Sequence, residues 1–188
     1  MADYHSSNSL KGTFLLATPQ MPDPRFKEQI IYLCSHDDSG AMGFVINQPS
    51  PHSLADIFTS VGLDAIDREW PPVYIGGPVE MEAAFFLYSA DYVSEQCLEV
   101  DCGVRVSRNP QILHDIARGN GPLHFLFLLG YAGWGPGQLE AELGVNGWLS
   151  LPAETSILFD TPDRDKWQLA AQRFGIDILL FNDQVGSA

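Results

Sequence analysis

Four stretches of the chain repeat apolar residues at three- and four-residue intervals, each bracketed by helix-ending chemistry. Leu54, Ile57, Phe58 and Val61 form one face behind Ser53, with Asp56 at the capping-box position and Gly62 closing. Asn109-Pro110 opens a second helix whose inward face is Ile112, Leu113, Ile116 and Ala117, ended by Gly119. Pro136 opens a short third through Leu139 and Leu143 to Gly144. Thr161-Pro162 opens a fourth, with Trp167, Ala170, Ala171 and Phe174 inward and Gly175 after it. Proline tolerates the first helical turn, where its missing N–H costs nothing, and glycine accepts the left-handed residue that ends a helix.

Between these lie short apolar runs bounded by Gly, Pro, Asn and Asp, which predict strands at 13–18, 29–35, 42–47, 72–75, 84–88, 98–106, 123–131, 148–151, 156–160 and 177–181. The strands outnumber the helices and come in hairpin-like pairs, with His36-Asp37-Asp38-Ser39-Gly40 as one hairpin loop. That is not the strict strand–helix alternation of a parallel sheet. It predicts one α+β domain over 1–188 with a largely antiparallel sheet, residues 1–9 and 183–188 being flexible tails.

Charge narrows the function classes. The 188 residues carry 24 acidic and 10 basic side chains, a net charge of −14, and the cations never cluster. A duplex-binding protein needs a stripe of Lys and Arg to displace counterions from phosphates. Repulsion opposes the encounter here, with DNA and with anionic membranes alike. No apolar run approaches the roughly 20 residues of a membrane span. The polar first twelve residues show no leader, and three cysteines is an odd number, so the expectation is a cytoplasmic protein with Cys34, Cys97 and Cys102 all reduced.

The usual catalytic signatures are absent, and three segments are left. Gly130-Tyr131-Ala132-Gly133-Trp134-Gly135-Pro136-Gly137-Gln138-Leu139-Glu140 has the glycines of a loop that approaches a ligand. It holds no cation, however, and reads equally as a compact strand-to-helix turn over Tyr131 and Trp134. Cys34 and His36, two apart on a strand, share a face and could pair as thiolate and imidazolium. The plainer reading is a buried thiol beside a turn histidine. His36, Asp37 and Asp38 point in different directions on a hairpin and read as a solvated turn, so neither a metal nor a cofactor is expected.

Three blocks together are more specific. Pro19-x-Met21-x-Asp23-Pro24-Arg25-Phe26, then Ile31-Tyr32-Leu33-Cys34-x-His36, then Gly40-Ala41-Met42-Gly43-x-Val45-Ile46-Asn47-x-Pro49 resemble the AlgH/YqgE family of bacterial proteins, as do Gly76-Gly77-Pro78-Val79 and the glycine string from Gly130. The resemblance implies a coiled, bifurcated β-sheet packed with pairs of helices, and it carries a transcriptional-regulator label without an established mechanism or catalytic residues. Ser35 and Gln48 depart from the family pattern at positions that are often charged. The resulting expectation is a binding or regulatory module, with an unknown protein or a small molecule as its partner and no direct contact with DNA. An enzyme using a cleft floored by the turns at 76–78 and 130–138 is the alternative. Candidate binding residues are Asp23, Arg25, His36, Asn47, Gly76, Gly77, Gly133, Trp134, Gly135 and Gln138. If a site exists, it joins the two glycine turns to the 19–26 loop, where strand ends carry function.

Overall fold

One strand, β9 (Phe125–Trp134), organises the molecule because both of its edges and both of its faces are used. The structure is a computed structural model that describes residues 9–101 and 103–177. Along one edge of β9 runs β6 (Val79–Ser89), antiparallel, with Phe86 opposite Phe127. The other edge forks. Its first half pairs in parallel with β5 (Pro72–Ile75), through Val73 and Phe127, and its last residues pair antiparallel with β3 (Gly40–Val45), through Ala41 and Trp134.

From β3 the sheet continues through β2 (Ile30–Asp37) and β1 (Thr13–Ala17) to β10 (Trp148–Pro152). On the other side it continues from β6 through β8 (Val104–Ser107) to β7 (Cys97–Asp101). A short strand β4 (Pro49–Ser53) lies beside β5. All pairs except β5–β9 are antiparallel. The ten-stranded sheet curls into a half-barrel, so that a Cβ on Gly12, before β1, would stand 3.2 Å from the Cβ of Asp101 on β7.

Period-two alternation feeds two layers. Phe14, Leu16, Ile30, Tyr32, Cys34, Phe85, Leu87, Leu126 and Leu128 point into the curl. There they meet Ile157 and Leu158 of α4 (Thr155–Phe159) and Ala170 and Ala171 of α5 (Asp163–Arg173). The outer face divides into two wings. α1 (Leu54–Ser60) and α2 (Gln111–Ala117) cover Phe86, Tyr88 and Phe127, whereas α3 (Gln138–Gly144) puts Leu139 over Leu15, Ile31, Trp134 and Trp148. These near-continuous apolar strands are therefore buried on both sides.

The capping box holds, with Ser53 and Asp56 bonding each other's backbone N–H. Several boundaries differ from the pattern. The run at 156–160 is helix α4, since a short apolar run has no period that separates helix from strand. The single strand expected at 98–106 is the hairpin β7–β8, turned where Gly103 takes φ +98°. Strand β4 carries no apolar alternation in Pro49-Ser50-Pro51-His52-Ser53, and Val61 and Phe174, expected inward, are 55% and 36% exposed. Strand β9 runs on to Trp134, so only Gly135 to Gly137 form the turn before α3. The expected strand at 177–181 beyond its first residue, the flexible-tail assignments at 1–9 and 183–188 apart from Ser9, and Cys102 lie outside the described residues.

The fork explains the two glycine turns. A Cβ on Gly77 would lie 2.1 Å from the carbonyl carbon of Tyr131, and one on Gly76 would lie 2.4 Å from the oxygen of Gly130. Gly76 also donates its N–H to Leu129 O at 2.8 Å and accepts from Val45 N at 2.8 Å, tying β5, β9 and β3 at the split. Backbone meets backbone there, and no side chain fits.

Candidate functional site

Three separated segments meet on the α3 wing. The 18–29 loop is shaped by local hydrogen bonds. Asp23 caps a one-turn 3-10 helix (Pro24–Phe26) by accepting Arg25 N–H at 3.0 Å, and the same carboxylate takes both Nε and Nη2 of Arg25, at 3.0 and 2.6 Å. The Arg25 side chain itself stays exposed, and its guanidinium holds the Asp23 carboxyl below the usual carboxylate range. Thr18 Oγ1 donates to Asn146 O at 2.6 Å, which fastens this loop to the end of α3.

Trp134 comes from the end of β9 and Trp148 from the start of β10. Their rings stand nearly perpendicular, 6.1 Å apart at 80°, and Phe26 stands against Trp148 at 5.5 Å and 67°. Both indole N–H groups donate to the same oxygen of Glu142, Trp134 at 2.9 Å and Trp148 at 2.8 Å. The other Glu142 oxygen accepts Gln138 Nε2 at 3.0 Å, one helical turn away, while Gln138 Oε1 accepts Gly135 N–H at 3.0 Å. A cleft of about 290 Å³ lies between these groups, with Met21, Pro22, Pro78, Gly133 and Val145 completing its wall.

Of the candidate residues, the structure thus brings together Asp23, Arg25, Gly133, Trp134 and Gln138 around this cleft. The remaining candidates sit elsewhere. Gly76 and Gly77 are inside the fork, leaving Pro78 alone of that turn on the cleft. Gly135 is exposed on the turn, its N–H held by Gln138 Oε1. His36 is a junction of three segments: its Nδ1 accepts Leu10 N–H at 2.9 Å, its Nε2 meets Glu140 Oε1 at 2.7 Å, and its carbonyl accepts Ser9 Oγ at 2.9 Å. Glu140 is held below its ordinary range by its own backbone N–H and by the His36 ring. Asn47 accepts Ile30 N–H and donates to Glu28 O. It therefore pins the start of β2, on a second groove along α5 whose wall runs to Asp177, where the described residues end.

Cys34 and His36 do not pair. Leu33 lies opposite Gly43 and Ser35 opposite Met42, so Cys34 is the extra residue of a β-bulge, which breaks the two-residue register. Its thiol is fully buried in the curl, where desolvation pushes its pKa up, the opposite of a poised nucleophile. Cys97 is exposed and also free. Asp37 accepts Ser39 N–H at 2.8 Å as a turn cap.

Glu142, Trp148 and Phe26 were not among the candidates. The helical spacing from Gln138 to Glu142 is readable in the sequence, but nothing along the chain says what the Glu142 carboxylate meets. That Glu142 is the common acceptor of two indoles appears only once Trp134 of β9 and Trp148 of β10, strands that are not neighbours in the sheet, are brought together against α3.

Comparison with known proteins places this chain among a set of relatives. The AlgH-like family pattern matches residues 14–179. The UPF0301 protein DP2218 of Desulfotalea psychrophila is 44% identical over 184 residues, covering 97% of each chain. The UPF0301 protein SPO0296 of Ruegeria pomeroyi is 43% identical, covering 95% of this chain and 99% of its own. The solution structure of the AlgH protein from Pseudomonas aeruginosa superposes with a TM-score of 0.79 at 39% identity over 100% of both chains. The crystal structure of protein DIP2367 from Corynebacterium diphtheriae shares the fold, with a TM-score of 0.73 at 20% identity over 90% of each.

Proposed function

This chain belongs to the AlgH-like family, and from that premise we propose that it is a cytoplasmic binding module whose cleft on the α3 wing receives a ligand or a partner's side chain. Any regulatory role then passes through that contact rather than through DNA. The observation that carries the reading is convergence. Residues from the 19–26 loop, the end of β9, α3 and β10 meet around one small aromatic-walled cleft, while among the described residues no helix or strand presents a row of cations. Ligand sites are typically concave and mostly apolar, with a few placed polar groups, and this cleft has that make-up. The free Cys34 and Cys97 thiols support a reducing compartment.

The test is a two-dimensional NMR and thermal-melting screen against the small-molecule fraction of a cytosolic extract, followed by protein fractions of the same extract. The expected result is a shift of the Trp134 and Trp148 indole N–H resonances with a rise in melting temperature. If no fraction moves the indole resonances, the cleft is only architecture.

A further inference from the structure

Resting on that reading of the cleft, we propose that its ligand is an organic cation, an alkylammonium group seated in the cleft against its aromatic wall and beside Glu142. The electrostatics of the cleft lead there. Glu142 is a half-buried carboxylate that accepts three hydrogen bonds, two from indoles and one from an amide, and all three donors are neutral. Among the described residues no Lys, Arg or His forms an ion pair with it. Arg25, the cation on the cleft wall, is taken in bidentate fashion by Asp23, so that pair contributes no net charge. The cleft thus keeps one full negative charge that the protein orients but does not neutralise.

A carboxylate can accept about four hydrogen bonds, two at each oxygen. Both positions at Oε2 are filled by the indoles, and Oε1 keeps one beside Gln138. The surrounding rings strengthen the same preference, since aromatic faces attract cations and repel anions. Trp134 and Phe26 each stand edge-to-face against Trp148, and all three rings line the cleft. Met21, Pro22, Pro78 and Val145 offer an apolar surface to the alkyl stem. An anionic ligand would face Glu142 uncompensated, and a neutral one would leave its charge unused. The ammonium group can come from a free amine or from a lysyl side chain of another protein, and these share the chemistry.

The experiment is a titration of the full chain followed at the Trp134 and Trp148 indole N–H resonances and by tryptophan fluorescence. The probes are choline, n-butylammonium and N-acetyl-lysine N-methylamide. The uncharged isostere of choline, 3,3-dimethylbutan-1-ol, is the control. We expect saturable shifts with the cations and binding of the alcohol at least about tenfold weaker, a difference of about 1.4 kcal/mol. Glu142→Gln, which keeps an oxygen for the indoles, should lower cation affinity by a similar factor while circular dichroism and melting are retained. Saturation by choline or butylammonium assigns a free amine, and saturation by the lysine derivative alone assigns a protein partner. Equal binding of alcohol and choline overturns the cation while leaving the binding cleft intact. Silence of both indoles toward every cation, with the extract still active, overturns it in the same way. Because the choline and alcohol arms use the unaltered chain, the result does not depend on the variant folding.

Discussion

Trp134 shows how a residue can be core and site wall at once. It is 8% exposed, it packs in the outer cluster with Leu15, Ile31 and Leu139, and its N–H is satisfied by Glu142. Truncation to Ala should therefore cost about 3–5 kcal/mol of unfolding free energy in a urea titration, the range of buried Trp truncations. A loss below about 1 kcal/mol would mean that the ring is not part of the core. The glycines that bracket it made this position legible in the sequence as a point of interest. They could not say whether the ring faces protein or solvent, because Gly133 and Gly135 permit either path. Glu142 was illegible for a different reason. Its importance lies in two indoles from non-adjacent strands converging on one oxygen, and no spacing along the chain encodes that.

At the scale of elements, what the sequence revealed depended on whether local physics decided the outcome. The capping box at Ser53 and Asp56 and the inward face of α2 were readable because caps and helical periods act within a few residues. Helix α4 was not, since Ile157 and Leu158 are buried against the curl by tertiary packing. In α5 the buried stripe differs from the pattern at Phe174, which is exposed, and at Lys166, which its charge would put outside. Lys166 is 1% exposed, donating to Ile46 O at 2.8 Å and to Asp163 at 3.0 Å, whose carboxylate also accepts the Tyr74 hydroxyl. A buried lysine survives only with such partners, and desolvation still lowers its pKa. The glycine turns were legible as turns, and the structure gives them a specific task. Gly77→Ala would drive a Cβ to within 2.1 Å of Tyr131 backbone, whereas Gly62→Ala, at φ +70°, meets nothing within 4 Å. The second should cost about 1 kcal/mol from its backbone conformation alone. The first should cost clearly more and speed hydrogen exchange of the Gly76 and Val45 amides, which close the fork. Equal costs for the two would deny the fork its role.

For the whole molecule, the α+β class and the bifurcated sheet were within reach of pattern and resemblance, while the curl was not, because it brings residues before β1 against β7 from the far end of the strand order. Charge behaves oppositely: it is read from composition and hardly altered by folding. The fold leaves the ten Lys and Arg residues scattered, and several are already spent on acidic partners. Arg25 is held by Asp23, Arg108 lies 3.7 Å from Glu80, Lys166 is buried against Asp163, and Arg173 lies 3.5 Å from Glu154. A protein on duplex DNA gains its affinity from several cations that each displace a counterion, which gives a steep fall of binding with salt. With a net charge of −14 and no cationic row, that gain is missing and long-range repulsion stands in its place. The prediction is that this chain alone does not shift duplex DNA in a gel at physiological salt, even at micromolar protein, and that lowering the salt does not rescue binding because repulsion then reaches further. A sub-micromolar complex that weakens steeply as salt rises would contradict it and would require a cationic surface that the described residues do not form. If a partner held through the cleft supplies the missing cations, DNA binding should appear only with that partner present. It should then be lost with Glu142→Gln in this chain, a dependence that a direct DNA-binding protein would not show.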